Sequence, residues 1–486
     1  MKVAQLPKNF RSVVQNNNGM TLYLDSLSRG REFTPRSWLY EDQTPETVLE
    51  NWMKTLSQLD EGDQFEKKVY QFDTSQLKKW GPQGGIAPID DLLAEYVFPT
   101  FDVASPPRAF TSPQWKDALN EVVWHFQKND HAYSLRPASY RYVLDDMRAR
   151  DTLESNSGWP LFTRRNKPEV VHASIKAAED EEWLKYPAIA LFRNYNLKTR
   201  LVWMFPMAAN LVEGSFTQPL QARIIASGDP FFAPWRGFED VRDLVTKAYD
   251  SGKFIMASDF SSTDAHFTWD STQQVFNVLK YLFQRNPSVQ GLLLDSLVRM
   301  HSIPLVISTD KWITGSHGVS SGSNWTNFVE TVFDYVFSRY VFRLTERQVS
   351  GLYAIGDDMA WVTDEYDDGF SESLEDFGKD VGQIIKAEKT TNDPDSVKSL
   401  QRLFQRGYRR PDGKLRAVYS TIRALKSSIY PERFHKPSQW SPDMFCARQY
   451  MILENCVDHP LFEDFVRFVV KGNKHLIPFA RKSKAE

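Results

Sequence analysis

Two places in the chain set short carboxylates where a divalent cation could be held. Asp259 ends the apolar run Phe254-Ile255-Met256-Ala257. Asp357 and Asp358 follow Gly356 between Leu352-Tyr353-Ala354-Ile355 and Met359-Ala360-Trp361-Val362. Mg²⁺ takes hard oxygen ligands, usually one or two carboxylates plus substrate phosphates. A pair of such ions stabilises the attacking and leaving oxygens of a phosphoryl displacement together. The chemistry within reach is nucleotidyl transfer, with Asp259 and Asp357 as metal ligands and Asp358 as an outer ligand beside them. Two Mg²⁺ ions, replaceable by Mn²⁺, are the expected cofactor. Each site alone has a plainer use: Gly-Asp-Asp also makes an ordinary solvated turn, and an Asp after a strand commonly caps a helix. The order Asp259, Asp264, Ser321-Gly322, Gly356-Asp357-Asp358, each in fitting local structure, is what favours chemistry.

The elements that must position these groups follow from apolar spacing. The run ending at Asp259 reads as a strand. Val275, Phe276, Val278, Leu279, Leu282 and Phe283 then recur at helical spacing. The turn Gly318-Val319-Ser320-Ser321-Gly322 launches a long helix with Trp325, Phe328, Val329, Val332, Phe333, Val336, Phe337 and Tyr340 on one stripe. The two apolar runs around Gly356 predict a β-hairpin. Strand, helix, helix and hairpin in this order suit an α+β fold with an antiparallel sheet backed by helices. Residues 1–70 are polar with few periodic apolar runs, and read as an extension over a larger body.

A triphosphate also needs cations. Lys198 and Arg200 alternate along an extended stretch and so share one face, with Arg193 and Arg223 as outer members. Arg164, Arg165 and Lys167, after the turn Ser157-Gly158-Trp159-Pro160, and Arg406, with Arg409 and Arg410, are candidates for contacts to a nucleic-acid backbone. The bland alternative for each is a solvated surface charge.

Composition sets the outer limits. The chain has 486 residues, of which 41% are hydrophobic and 14% aromatic, enough to bury a large core in several subdomains. Two cysteines, Cys446 and Cys456, exclude a disulfide framework, and without a CxxC pair a structural zinc site is not expected. No run of 18 apolar residues predicts a membrane span. The net charge of −3 does not itself argue for a nucleic-acid partner, although Arg and Lys cluster between Gln401 and Arg416.

With these residues in view, the chain resembles viral RNA-dependent RNA polymerases. Ser258-Asp259-Phe260-Ser261-Ser262-Thr263-Asp264 looks like their motif A, Ser321-Gly322-Ser323-Asn324-Trp325-Thr326 like motif B, and Ile355-Gly356-Asp357-Asp358 like motif C. Glu388-Lys389-Thr390 is similar to motif D, Leu403-Phe404-Gln405-Arg406 to motif E, Lys198-Thr199-Arg200 to motif F and Ser157-Gly158-Trp159-Pro160 to motif G. The size, the Gly-Val-Ser-Ser-Gly-Ser sequence and Leu22-Tyr23-Leu24-Asp25 resemble picobirnavirus polymerases, with partitiviruses next nearest.

The resemblance implies a right-hand fold of fingers, palm and thumb, encircled by its N-terminal extension. Residues 1–70 would bridge fingers and thumb, 71–245 and 271–312 form fingers, 246–270 and 313–410 palm, and 411–486 thumb and tail. It implies Asp259, Asp357 and Asp358 as catalytic metal ligands. Lys389 would be the acid that protonates pyrophosphate, with Lys386 competing for that role. Asp264, Ser321, Gly322 and Thr326 would surround the nucleotide, with Asp264 and its partners reading the ribose. Asp264 is a polar acceptor where a reverse transcriptase needs bulk. One position departs from the pattern: Glu330 stands where many relatives carry Asn. Template and product RNA, NTPs and a viral capsid protein are the implied partners. Primer-independent synthesis is implied for a monomer without membrane attachment, inside the virion and in host cytoplasm during infection. The competing class is a non-catalytic RNA-packaging protein in which the Gly-Asp-Asp turn is incidental.

Overall fold

The computed structural model describes residues 1–30, 33–84, 87–98, 106–128, 133–432 and 440–483. Strand β1 (Lys2–Gln5) is followed by helices before the first hairpin, β2 (Ala188–Tyr195) and β3 (Lys198–Met204), whose turn residues Asn196 and Leu197 both take positive φ. The apolar run at 254 becomes β4 (Phe254–Asp259). Two short strands follow, β5 (Leu305–Val306) and β6 (Lys311–Thr314). The Gly-Asp-Asp hairpin is β7 (Val349–Ile355) and β8 (Asp358–Thr363). Beyond it lie β9 (Thr391–Asn392), β10 (Ser396–Ser399), β11 (Arg402–Gln405) and β12 (Val418–Tyr419).

The strands make three sheets. The one that carries the carboxylates runs β7-β8-β4-β9 and is antiparallel throughout. Its register sets Asp259 directly opposite Asp358. A five-stranded sheet, β1-β6-β5-β2-β3, holds Lys198 and Arg200, and β10-β11-β12 forms a small third sheet. The expected α+β class with an antiparallel central sheet is what the protein has.

The helix Trp325–Leu344 packs against β7 and against the helix Pro113–Lys128. Sequence spacing predicts one apolar stripe. The structure buries more, because sheet and helices enclose it from several sides: Glu330, Thr331, Asp334 and Ser338 are buried as well. This polar row faces the hairpin, where Thr331 Oγ1 accepts a hydrogen bond from Gly356 N at 2.8 Å.

Residues 1–70 are more ordered than their weak periodicity suggests. Leu6, Val14, Met20, Leu24 and Leu27 join the main core with the five-stranded sheet. Leu39, Val48, Trp52, Leu56, Val69 and Phe72 join a second core made with Leu403 to Leu476. The chain start thus serves two cores far apart in sequence. Short amphipathic helices of only a few buried residues each account for the missed signal.

Candidate active site

Each aspartate reaches the site by a local device. Asp259 is the last residue of β4, and Ser262, at φ 54°, turns the chain so that Thr263–His266 can form a short helix carrying Asp264. Gly356 takes φ 58° at the hairpin tip, a backbone region that glycine enters without a Cβ clash. Adjacent residues then diverge: Asp357 faces the main cavity, while Asp358 opens onto a smaller one on the other side of the turn. Asp357 is fixed by Thr263, whose Oγ1 donates to its Oδ2 at 3.0 Å, and its carbonyl accepts from Phe260 N at 3.3 Å.

The main cavity, about 590 Å³, is lined by Asp259, Asp264 and Asp357 on one wall and Lys198 and Arg200 on another. Ser321, Thr326 and Glu330 come from the loop and helix that follow β6, and Lys389 from below. A nucleoside triphosphate fits a site of this size, with anionic ligands and cations facing one another across it. Glu95 and Tyr96, at the end of the helix Ile89–Tyr96, also line the cavity. They were not among the sequence candidates, since nothing in their local pattern marks them. Glu95 lies 3.8 Å from Lys198 Nζ.

The loop 318–324 is pinned into contact with its neighbours. A Cβ on Gly322 would overlap the Trp203 carbonyl, and one on Gly318 the Asp264 carbonyl, so both positions need glycine for close approach. Ser321 Oγ accepts from Trp203 N at 3.3 Å, and Thr326 Oγ1 donates to Ser320 O at 2.7 Å. Buried His317 sets its two ring nitrogens 2.9 Å from the carbonyl oxygens of Gly318 and Ile303. Its role here is to hold the loop in place.

Electrostatics single out this region. Burial and then Asp357 push the Asp264 carboxyl up to about 6, with Arg200 opposing. Burial and then Asp357 raise Asp259, while Lys389 pulls it back. Asp357 is raised by burial against the Thr263 hydrogen bond, and Asp358 by its recessed position together with Asp357 and Asp259. Behind them Glu330 and Asp334 are pushed well above the carboxylate range, first by burial and then by Asp357. Such mutual repulsion is the mark of a site built for a cation. Among the described residues no three acidic or imidazole groups already form a finished cage. Hard oxygens with unbalanced negative charge, leaving ligand positions for phosphate and water, nevertheless fit Mg²⁺.

These motifs, in this geometry, are matched by known proteins. A family model for viral RNA-dependent RNA polymerase matches residues 196–419. A potential RNA-dependent RNA polymerase of human picobirnavirus (strain Human/Thailand/Hy005102/-) is 25% identical over 484 residues, covering 94% of this chain and 86% of that protein. This chain is thus similar to viral RNA-dependent RNA polymerases, both over residues 196–419 and along most of its length. Its fold is that of a human picobirnavirus polymerase crystal structure, with a TM-score of 0.83 at 23% identity over 98% of this chain and 92% of the other. An insertion-loop deletion mutant of that enzyme superimposes with the same score, covering 94% of its chain.

Not every candidate cation of the polymerase faces open space. Arg406 donates to the carbonyls of Tyr249, Lys253 and Pro394 and pairs with Asp395, so it braces the protein instead of reaching for a duplex. Arg409 pairs with Asp250, and Arg410 with Asp412 and Glu239. Arg165 is turned inward, donating to Asn156 O and to Asn210 Oδ1, both at 3.0 Å. Arg193 is paired with Glu432 at 2.6 Å, and Arg223 donates to Ser134 at 3.1 Å. Arg164 and Lys167 are exposed, the former 3.4 Å from Glu154. The physical reason is common to the inward set: a guanidinium with five donors satisfies several carbonyls at once, and sequence does not distinguish that use from phosphate binding. Arg406→Ala is therefore expected to lower the melting temperature while leaving RNA affinity and its salt dependence unchanged. RNA titrations at several salt concentrations beside thermal unfolding check this.

Exposed Lys398, on β10, and Gln401, on the turn between β10 and β11, line the small pocket that also holds Asp358 and Lys389. Leu400 and Gln401 both take positive φ there.

Proposed function

We propose that this polymerase copies single-stranded RNA into a complementary strand without a primer, for genome replication and transcription of a double-stranded RNA virus. The observation that carries the reading is one cavity with Asp259 and Asp357 facing Lys198 and Arg200. Asp259 and Asp357 would hold two Mg²⁺ ions, with Asp358 beside them, and the ions would supply charge neutralisation for the reacting phosphate.

The remaining work belongs to the chain. The 3′-hydroxyl of the growing strand attacks the α-phosphorus of the NTP, a P–O bond forms, and the bond to the bridging oxygen breaks. Lys198 and Arg200 bind the triphosphate tail; both lie on the exposed face of β3, Arg200 near the Tyr195 ring. Lys389 lines both pockets and hands a proton to the departing pyrophosphate. Asp264, Ser321, Gly322 and Thr326 hold the ribose, with Glu330 buried one turn beyond Thr326, its carboxyl pushed up first by burial and then by Asp357. Lys398 and Gln401 support the product strand, and Arg164 and Lys167 the template. Fingers, palm and thumb are assigned as read from sequence. The bridging role of the N-terminal region is supported by its share in two cores. A monomer acting inside a capsid of the virion, and in host cytoplasm during infection, completes the proposal.

The test is synthesis on a short single-stranded RNA with four NTPs and Mg²⁺, without primer, beside a folded Asp259→Asn. Expected is full-length product from wild type and none from the variant. Product that requires a primer would remove primer independence. No product with primer and with Mn²⁺ would overturn the reading.

A further inference from the structure

The loop that carries Ser321 and Gly322 is shaped from outside by a pair of buried side chains on the helix Met207–Ser227. Glu213 is 1% exposed and no ion pair to it exists among the described residues. Its Oε1 accepts from Asn324 N at 3.2 Å and Asn210 Nδ2 at 3.0 Å, and its Oε2 from Ser323 Oγ. Asn210 Nδ2 also donates to Gly322 O at 3.2 Å, and Asn210 O accepts from Asn324 Nδ2 at 3.1 Å.

Asn324 is the N-cap of the helix Trp325–Leu344, and its own side chain makes no capping bond. Glu213 performs that service in trans, placing negative charge where the first turn of a helix presents unpaired N–H groups. Burying an unpaired carboxylate is costly. Burial pushes this one up to about 7, against the pull of Ser323, Asn324 and Asn210. Nothing in the phosphoryl-transfer chemistry needs a carboxyl here, so the arrangement calls for another use.

The other side of Asn210 is held by Arg165, whose Nη2 meets Oδ1 at 3.0 Å while its Nε bonds Asn156 O. The chain Arg165–Asn210–Glu213 thus joins the 156–165 loop to the 321–324 loop. We propose that Asn210 and Glu213, held by Arg165, are positioning residues that set the ribose-reading loop. Selection of ribonucleotides over 2′-deoxynucleotides would then be fixed from this helix. The inference rests on the assignment of Ser321 and Thr326 to the ribose.

The experiment compares incorporation of NTP and 2′-dNTP, with KM and kcat measured per active site, in wild type, Glu213→Gln, Glu213→Ala, Arg165→Gln and Ser321→Ala. Glutamine keeps an oxygen for Asn324 and Asn210 and a donor for the Ser323 hydroxyl. Glu213→Gln is therefore expected within about threefold of wild type. Glu213→Ala is expected to raise KM for NTP roughly tenfold and to erode ribose selectivity by a similar factor, with kcat changed less. Arg165→Gln should erode selectivity without weakening RNA binding. Loss of active fraction alone in Glu213→Ala, with KM and selectivity intact, would reduce Glu213 to a stability role and overturn the inference. Arg165→Gln that weakens RNA and spares selectivity would overturn the role of Arg165. A Ser321→Ala that leaves selectivity unchanged would instead strike the ribose assignment beneath it.

Discussion

Asp357→Asn is expected to abolish RNA synthesis, by at least about 10³-fold, and yet to leave the metal-free protein more stable than wild type. The loss follows from removing one of the carboxylates that line the cavity opposite Lys198 and Arg200. The gain follows from the surroundings. Asp357 helps push up Asp259, Asp264, Asp358, Glu330 and Asp334, so neutralising it relieves five groups at once. Relief of one pKa unit is worth about 1.4 kcal/mol, and a net gain of about 1–2 kcal/mol is expected. Asparagine keeps an oxygen for the Thr263 hydroxyl, so the turn itself is preserved.

The pH dependence has a definite sign. Carboxyls raised above their ordinary values contribute stability that is full below about pH 4. That contribution is lost as pH rises through the raised values, near 6 for Asp264. Without metal, wild type should lose stability over that window, and Asp357→Asn should lose less. Mg²⁺ should stabilise wild type at pH 8 and the variant far less. Thermal unfolding with EDTA and with Mg²⁺, beside the synthesis assay, reads all of this. A variant that is less stable without metal would contradict the electrostatic account, and one that still synthesises RNA would remove Asp357 from the chemistry.

Asp73→Ala is expected to produce the largest loss of stability of any single change considered. Asp73 sits in the helix Gln64–Thr74 with its carboxylate fully buried against the start of the helix Thr421–Ile429. It accepts from Ser420 Oγ at 2.6 Å, Thr421 N at 3.1 Å, Thr421 Oγ1 at 2.6 Å, Ile422 N at 3.0 Å and His459 Nε2 at 2.9 Å. His459 Nδ1 accepts from Leu461 N, which leaves the Nε2 hydrogen for Asp73. Alanine would orphan these donors inside a core, at a cost of about 4 kcal/mol.

Burial pushes the Asp73 carboxyl up, but the bonds from His459, Ser420 and Thr421 pull it below its ordinary value. A depressed carboxyl contributes stability above the unfolded value, near 4, that disappears as pH falls through the folded one. Wild type should therefore show an acid-side loss that Asp73→Ala lacks. Urea unfolding at pH 7 and across pH 3–5 tests both statements. A change under about 1 kcal/mol at pH 7 would mean that water or rearranged partners satisfy the site.

The strand, helix and hairpin around the candidate site were legible because their signals are local. A strand ending in Asp, a Gly-Ser turn before an apolar helix, and a Gly-Asp-Asp turn between apolar runs each state their structure within a few residues. Glu95, Tyr96, Lys398 and Gln401 carry no such signal. They line the pockets only because other segments bring them there. The same limit applies to Arg165 and Arg406, which look like RNA contacts in sequence and are consumed by carbonyl and amide partners in the fold.

By itself, the sequence determined the kind of chemistry and the elements around it, since residue type, spacing and turn chemistry decide backbone conformation over short range. Only the tertiary structure decided which cations remain available, which carboxyls are pushed up, and that Asp73 and Glu213 bind segments hundreds or about a hundred residues away. Those outcomes depend on dielectric and on partners supplied across the fold, and burial is a property of the assembled chain, not of any stretch of it.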